Sequence, residues 1–259
     1  MAVPVSIIVP VLNEAPIIAR FLRHLREVAP RAEIIVVDGG SNDGTADLCC
    51  HIADYAITAP LGRAKQMNAG AKIATGDVFW FVHADSRVTH ASVPAIEAVL
   101  AEPKIAGGCF RLHIVPSRWI YRLRDAIGNF CVEWFAVALG DRGFFCRRDV
   151  FLRIGGYPEI PLLEDAEFYR KLKRCGCVRQ LREKIQTSAR RYETLGPFTT
   201  VCFYGLIMSL YVMRIPLSIL ERMVRSYVVR ATGPSCASTT SRTSQADRSI
   251  RPRRVPSTE

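Results

Sequence analysis

Three carboxylates, Asp38, Asp85 and Asp165, stand beside small or polar residues at the ends of apolar runs or at the start of a helical pattern. Acidic side chains in such places can hold a divalent cation through hard oxygen ligands, here shared with the diphosphate of a nucleotide. They can also move a proton as a positioned base, or merely cap a helix or a turn. Groups suited to an anionic ligand lie elsewhere in the chain: Arg63 at the head of a helical stretch, and Arg190 with Arg191 after a final strand over 185–188. A guanidinium presents several N–H donors in one plane, which matches phosphate oxygens. Asn13 and Glu14 follow the first apolar run and add amide and carboxylate groups.

Residues this distant in sequence meet only if the chain brings strand ends together. Ser6 to Leu12 is a short β-branched run, and Glu14 to Val28 sets Ile17, Ile18, Phe21, Leu22, Leu25 and Val28 at helical spacing, with Arg20, Arg23 and Arg26 opposite. Glu33 to Val37 repeats the strand signal, and a polar turn over 38–42 leads to a helix over 43–52. A helix over 63–74, a strand over 77–82 and a helix over 92–101 continue the alternation. This βαβαβα order predicts an α/β fold with a doubly wound, mostly parallel sheet, Rossmann-like in its first half. Ligands of such sheets bind beyond the carboxyl ends of the strands, where Asn13, Glu14, Asp38, His83 and Asp85 stand. The pattern then loosens into a strand over 107–114, a long helix over 119–138, a short strand over 143–147, a helix over 164–172 and a last strand over 185–188.

The 259 residues are 49% hydrophobic and 23% charged, enough apolar material for a sizeable core. No linker interrupts the first 230 residues, so the expectation is one domain over 1–231, including a C-terminal helical segment 197–231. A basic Ser/Thr/Arg-rich tail follows over 232–259, too poor in apolar residues to offset its ordering entropy, and is expected to be disordered. Thirty-five Lys and Arg against twenty-four Asp and Glu give +11, a field that favours phosphorylated ligands, nucleic acid or acidic lipid. Nine scattered cysteines without a CxxC pair exclude a disulfide framework or zinc site and indicate a reducing setting. The apolar opening Met1 to Leu12 lacks a basic lead and a cleavage site and reads as a buried strand. Pro197 to Met213 is uncharged but short for a membrane helix. The following 215–230 combines apolar residues with Arg222, Arg225 and Arg230, as an interfacial helix on acidic lipid does; a hairpin covering the core is the favoured alternative.

Five stretches resemble the family 2 glycosyltransferases of the GT-A fold: Ser6-Ile-Ile-Val-Pro-Val-Leu-Asn-Glu14, Val36-Val-Asp-Gly-Gly-Ser-Asn-Asp-Gly-Thr45, Gly62-Arg-Ala-Lys-Gln-Met-Asn-Ala-Gly70, Phe81-Val-His-Ala-Asp85 and Glu164-Asp165. Two more, Gly140-Asp-Arg-Gly-Phe-Phe145 and Thr187-Ser-Ala-Arg-Arg-Tyr-Glu193, are similar to a bacterial branch of that family associated with arsenosugar biosynthesis. The resemblance implies that Pro10, Asn13, Glu14 and Asp38 line a nucleoside pocket and that Arg63 contacts base or diphosphate. Asn68 belongs to the same helix motif and equally suits a structural cap. Asp85 is implied to hold a Mn2+ or Mg2+ ion against the diphosphate. The family usually carries Asp-x-Asp there; His83-Ala84-Asp85 replaces one hard oxygen with an imidazole, which suits Mn2+ better than Mg2+. His83 either hydrogen-bonds the nucleotide or packs at the strand end. Asp165 matches the catalytic base and follows Glu164. Asp141 is placed toward the acceptor, with Arg190 and Arg191 on phosphate. The stretch 188–192 lacks the Gln and Trp of processive relatives, so one sugar per acceptor is expected.

The expected activity is therefore an inverting, metal-assisted transfer of a sugar from a nucleotide-diphosphate donor to a hydroxyl acceptor. The expected location is the cytoplasm, peripheral at the inner face of the membrane. A sugar nucleotidyltransferase would need a Gly-rich phosphate loop after the first strand, and Asn13-Glu-Ala-Pro16 is none. A non-enzymatic nucleic-acid-binding protein would use the basic charge and tail and bind with steep salt dependence; no specific nucleic acid is expected as partner. A dinucleotide oxidoreductase is excluded, because no GxGxxG follows Val11 or Val37.

Overall fold

Strand β1 (Val5–Val11) is buried at every position, a pattern that only a central strand covered on both faces tolerates. Chain order then runs α1 (Ala15–Val28), β2 (Glu33–Asp38), α2 (Thr45–Cys49), β3 (Tyr55–Thr58), α3 (Arg63–Ile73), β4 (Val78–Phe81), β5 (Ser86–Arg87), α4 (Ser92–Leu100) and β6 (Ile105–Val115). It continues with α5 (Trp119–Phe135), β7 (Phe145–Arg147), α6 (Arg148–Arg153), α7 (Glu164–Cys175), β8 (Cys177–Ser188), α8 (Arg190–Leu195), α9 (Pro197–Val212), α10 (Leu217–Thr232) and β9 (Arg253–Arg254). These assignments come from a computed structural model that describes residues 3–135, 137–138, 142–232 and 253–254. Asp141, the side chain of Arg191 and nearly all of the 232–259 tail lie outside the described residues.

The strands form one sheet in the order β5-β8-β6-β7-β4-β1-β2-β3-β9. Its parallel part, β3-β2-β1-β4, is the doubly wound half expected from the βα alternation. Beyond β4 the pairing changes: β7 runs antiparallel to both β4 and β6, β8 pairs parallel with β6, and the two-residue β5 closes antiparallel on the end of β8. Arg253–Arg254 adds a short antiparallel edge to β3 at Tyr55 and Ala56, so two residues of the tail expected to be disordered are paired with the sheet.

Alternate side chains of β1 enter two cores. Val5, Ile7, Val9 and Val11 meet the apolar face of α1, where Ile18, Phe21, Leu22, Leu25 and Val28 are buried, and Ile96 and Leu100 of α4. Each such side chain contributes about 1.5–3 kcal/mol on burial. Ile8 faces the other way, with Ile35 and Val37 of β2, onto Ala64, Met67 and Ala71 of α3 and the aromatic residues Phe81, Phe151, Tyr157 and Phe168. Cys49, Cys109 and Cys146 are buried small residues of these cores, and burial pushes the thiols of Cys49 and Cys109 up to about 12 and about 11. Every cysteine among the described residues is a free thiol.

The C-terminal helices form the hairpin that the sequence allowed. Ile207 of α9 and Leu220 of α10 are buried against Leu163 and Ala166, and Phe203 stacks on Tyr227 with centroids 4.0 Å apart. The apolar face of α10 is thus used within the protein. No helix among the described residues is long and apolar enough to cross a membrane.

Helix α3 sits close to the sheet because Gly70 has no side chain. A Cβ built there would come within 2.6 Å of Ile8 Cγ2 and 3.0 Å of Val37 Cγ2. Gly70→Ala is therefore expected to lower the stability of the protein by about 1–3 kcal/mol, the range for overpacking a dense core. Urea unfolding checks this; a midpoint equal to that of the wild-type protein would show that α3 is free to shift.

Candidate functional site

The carboxyl ends of β2, β1 and β4 lie side by side, since Val11 registers with Asp38 and Ile8 with Phe81. At roughly 4.8 Å per strand, the loops after β2 and β4 flank the loop after β1 on a common edge. Asp38 is only 5% exposed. Its Oδ2 accepts the N–H groups of Gly40 (3.0 Å) and Ser41 (2.9 Å), and its Oδ1 accepts the Ser41 hydroxyl. Three of the roughly four lone-pair sites of the carboxylate are then in use, which leaves capacity for one ligand donor.

The β1 and β2 loops are sewn together. The N–H of Asn13 donates to Ser41 Oγ at 2.8 Å, and its side-chain oxygen accepts the Asn42 N–H at 3.0 Å. Asn13 takes up left-handed backbone, φ 54°, which Asn tolerates better than most residues. The Glu14 N–H donates to Thr45 Oγ1 at 2.9 Å and the Ala15 N–H to Asp43 Oδ2 at 3.0 Å. These hydrogen bonds, first among them that from the Thr45 hydroxyl, hold the Asp43 carboxyl below its usual range. Asp43 therefore fastens the loop, ahead of a helix that starts at Thr45 and not at residue 43.

Gln66 of α3 closes the structure beneath this edge. Its buried Nε2 donates to Val11 O and to Val37 O, each at 2.8 Å. Pro10, buried in β1 opposite Val37, lies on the same side of the strand as Ile8.

Four expected site residues meet in pairs that cross the sequence. Arg190 Nη2 lies 3.4 Å from Glu14 Oε1, and Arg63 Nη1 lies 3.8 Å from Glu164 Oε1. The second pair ties the start of α3 to the start of α7, whose first turn carries Asp165, 4% exposed. Phe168, one turn on, packs on Phe81 at the end of β4 (5.9 Å) and stacks on Tyr157 (3.8 Å, 12°). The first turn of α7 is thereby tied to the start of α3 and to the end of β4. Asp85 lies in the loop after β4, next to Ser86, which pairs with Thr187 of β8 just before Arg190. His83 is part-buried and its carbonyl accepts the Ser86 N–H at 3.0 Å, forming the turn that carries Asp85.

Asn68 serves as a clamp. Its Nδ2 donates to Tyr157 O and its Oδ1 accepts the Tyr157 N–H, both at 2.9 Å. The preceding Gly156, φ 69°, leaves room for it: a Cβ there would lie 2.6 Å from Asn68 Oδ1. Tyr157 and Gln66 are the residues that sequence reading passed over. Burial, and next the negative charge of Asp165, push the Tyr157 hydroxyl well above its ordinary range, so a neutral phenol stands near that carboxylate.

No cluster of three or more His, Cys, Asp or Glu side chains among the described residues is arranged to hold a metal ion. Asp85 with His83 is a donor set too small for a free ion, and it fits an ion that arrives already chelated by a diphosphate.

Comparison with known proteins gives a consistent fold. The mannosyltransferase PcManGT from Pyrobaculum calidifontis, in complex with GDP-Man and Mn2+, is similar with a TM-score of 0.62 and 18% identity, over 92% of this chain and 78% of that one. S. aureus TarS 1-349 in complex with UDP-GlcNAc gives 0.56 and 17%, over 90% and 73%. Mannosyl-3-phosphoglycerate synthase from Rubrobacter xylanophilus gives 0.53 and 17%, over 95% and 79%. A comparison with curated proteins found no match by sequence. The sequence profile described as Glycosyl transferase family 2 matches residues 6–157, more than half of the chain, and with the sheet edge built as above the chain belongs to that glycosyltransferase family.

Proposed function

We propose that the protein transfers a sugar from a nucleotide-diphosphate donor to an acceptor hydroxyl with inversion at the anomeric carbon. The observation that supports this reading is the burial of Asp165 in the first turn of α7, where Glu164 lies on Arg63 and Phe168 packs on Phe81 at the end of β4, the strand that leads to the Asp85 loop. Asp38, with one lone-pair site left, receives a donor from base or ribose, and Asn13, Glu14 and Pro10 form the adjoining wall. Arg63 and Arg190 offset diphosphate charge, each now balanced by a carboxylate that the ligand would exchange for phosphate. Asp85, with His83 beside it, would hold the divalent ion, and Mn2+ would suit that pair better than Mg2+. Such an ion, when bound, stabilises the departing diphosphate as a Lewis acid.

Asp165 takes the proton of the acceptor oxygen as that oxygen attacks C1 and the bond to the nucleoside diphosphate breaks. Glu164 and the phenol of Tyr157 fix the surroundings of the base. GDP-Man and UDP-GlcNAc in the structural neighbours support a donor of this class. The stretch 187–193 supports placing the chain in the arsenosugar-associated branch of the family. Peripheral lipid contact by 197–231 has support from the outer face of α9, while Leu217, Leu220, Met223 and Val224 of α10 pack within the hairpin.

Asp165→Asn is expected to leave donor affinity near that of the wild type and to lower turnover by at least about 10²-fold. Titration calorimetry with the donor, beside a steady-state assay of nucleoside diphosphate release, checks both; unchanged turnover would remove Asp165 from the chemistry. Asp85→Ala is expected to abolish the part of donor affinity that depends on Mn2+. A thermal-shift series of nucleotide sugars with and without Mn2+ reads this directly, since a ligand of the folded state raises the melting point. An equal Mn2+ increment in the variant would place the ion elsewhere.

A further inference from the structure

Helix α5 turns an apolar stripe outward. Trp119, Leu123, Ile127, Phe130 and Trp134 follow one another at intervals of three or four residues, the spacing of one helix face, and all are exposed, the two tryptophans by 69% and 70%. The opposite face does the packing. Asp125 Oδ2 accepts the Ile114 N–H at 2.9 Å, Asn129 bonds the backbone of Leu112 through both ends of its amide, and Tyr121 is buried against Tyr192. The helix is therefore held to β6 by polar and aromatic contacts on its inner side, while its most apolar side meets solvent.

Helix α9 extends that surface. It carries no charged residue, and Phe198, Leu206 and Val212 are exposed along it. The two helices pack on each other. Arg118, just before α5, reaches Glu193 of α8 at 3.5 Å. Val137, beyond the end of α5, and Val212 of α9 line one cavity of about 710 Å3 together with Lys173, Arg174 and Arg214. Exposed Arg122 borders the stripe on α5, with Arg118 just ahead of the helix and Glu133, paired with Arg111, near its far end. Aromatic and aliphatic residues on one side with cations at the border are what a helix lying in a lipid interface presents, and indoles prefer that depth.

We propose that the α5–α9 face docks on an anionic phospholipid surface, with α5 lying along the interface. A second copy of the chain is the less favoured occupant, because two molecules of +11 repel each other whereas acidic lipid attracts them. The surface lies on the membrane and does not span it, in keeping with the helix lengths. Its Trp119 end abuts α8, whose Arg190 contacts Glu14, so docking brings the rim of the candidate site down to the lipid surface. The inference stands on exposure and charge and is independent of the sugar chemistry.

The chain has three tryptophans, and the third, Trp80, is fully buried, so changes in emission on adding vesicles report the stripe. The full-length protein is expected to shift its fluorescence to the blue and resist acrylamide quenching with mixed phosphatidylglycerol–phosphatidylcholine vesicles, but not with phosphatidylcholine alone. Salt at about 0.5 M should weaken the effect. Ile127→Glu should lower vesicle affinity about tenfold or more, the equivalent of one large aliphatic side chain kept out of an apolar phase, with an unchanged melting temperature. An absent shift with acidic vesicles, or an equal shift with neutral ones, overturns the proposal. So does a dimer that Ile127→Glu converts to monomer without any vesicle binding by the wild-type protein.

Discussion

At the carboxyl edge of β1 and β2, where the Gly39 N–H closes the ladder on Val11 O, a third element is tied to the two strand ends. The amide of Gln66, on α3, bridges Val11 O and Val37 O. A buried amide donor left without a partner costs about 1–3 kcal/mol, so α3, whose buried Gln66 finds its acceptors on two neighbouring strands, is pinned both in depth and in rotation. Gly70, one turn further along α3, permits the close approach this geometry needs. With α3 pinned, Arg63 at its start and Asn68 near its middle acquire fixed positions, one beside Glu164 and the other on the Tyr157 backbone. The loops of the candidate site are then held by a lattice of backbone hydrogen bonds and do not depend on their own propensities.

The first half of the fold was legible because parallel, doubly covered strands read as unbroken apolar runs and α1 has one wet and one dry face. The second half was less so for equally physical reasons. Only 185–188 of β8 was foreseen, because residues 177–184 mix Arg179, Arg182 and Lys184 into a half-exposed strand whose fully buried positions are few. β3 escaped notice since Ile57 is the one buried residue of its four. α5 carries a periodic apolar pattern that would ordinarily mark the face turned inward. The inward face instead presents Tyr121, Asp125 and Asn129 to β6, and periodicity alone does not say which side a helix buries.

The site shows the same division. Asp38, Asp85, Asn13 and Glu14 were legible as residues just past strand ends, and that position is what the register delivers. Asp165 and Arg63 were legible through motif order. Gln66 and Tyr157 gave no signal, because one works through hydrogen bonds to main-chain oxygens of distant strands and the other through ring packing. Asn68 sits in a motif that suggested either a ligand contact or a cap, and the Tyr157 backbone takes both ends of its amide. Leu163, immediately before α7, adopts left-handed backbone at φ 63°, which disfavours a branched side chain by about 1–2 kcal/mol. Local strain of this kind persists where the surroundings over-determine it, here at the residue that sets the direction of the helix carrying Asp165.

Helix α7 also explains why the C-terminal hairpin is more than a cover. Its first turn holds Glu164, Asp165 and Glu167, and the positive end of the helix dipole favours such a cluster by about 0.3–1 kcal/mol per charge. That is little against the repulsion of three neighbouring acids. Glu164 has Arg63 to offset it, while Glu167 is paired with Arg170 and accepts the Tyr211 hydroxyl at 2.6 Å. Tyr211 belongs to α9, and Ala166 of the same turn packs on Ile207 and Leu220. Glu164 is thus balanced from α3, and Glu167 by Arg170 of α7 itself together with a hydroxyl from α9, while Asp165 between them is buried. The first turn of α7 is therefore held from the parallel half of the sheet on one side and, on the other, by a hairpin that lies outside the matched family segment.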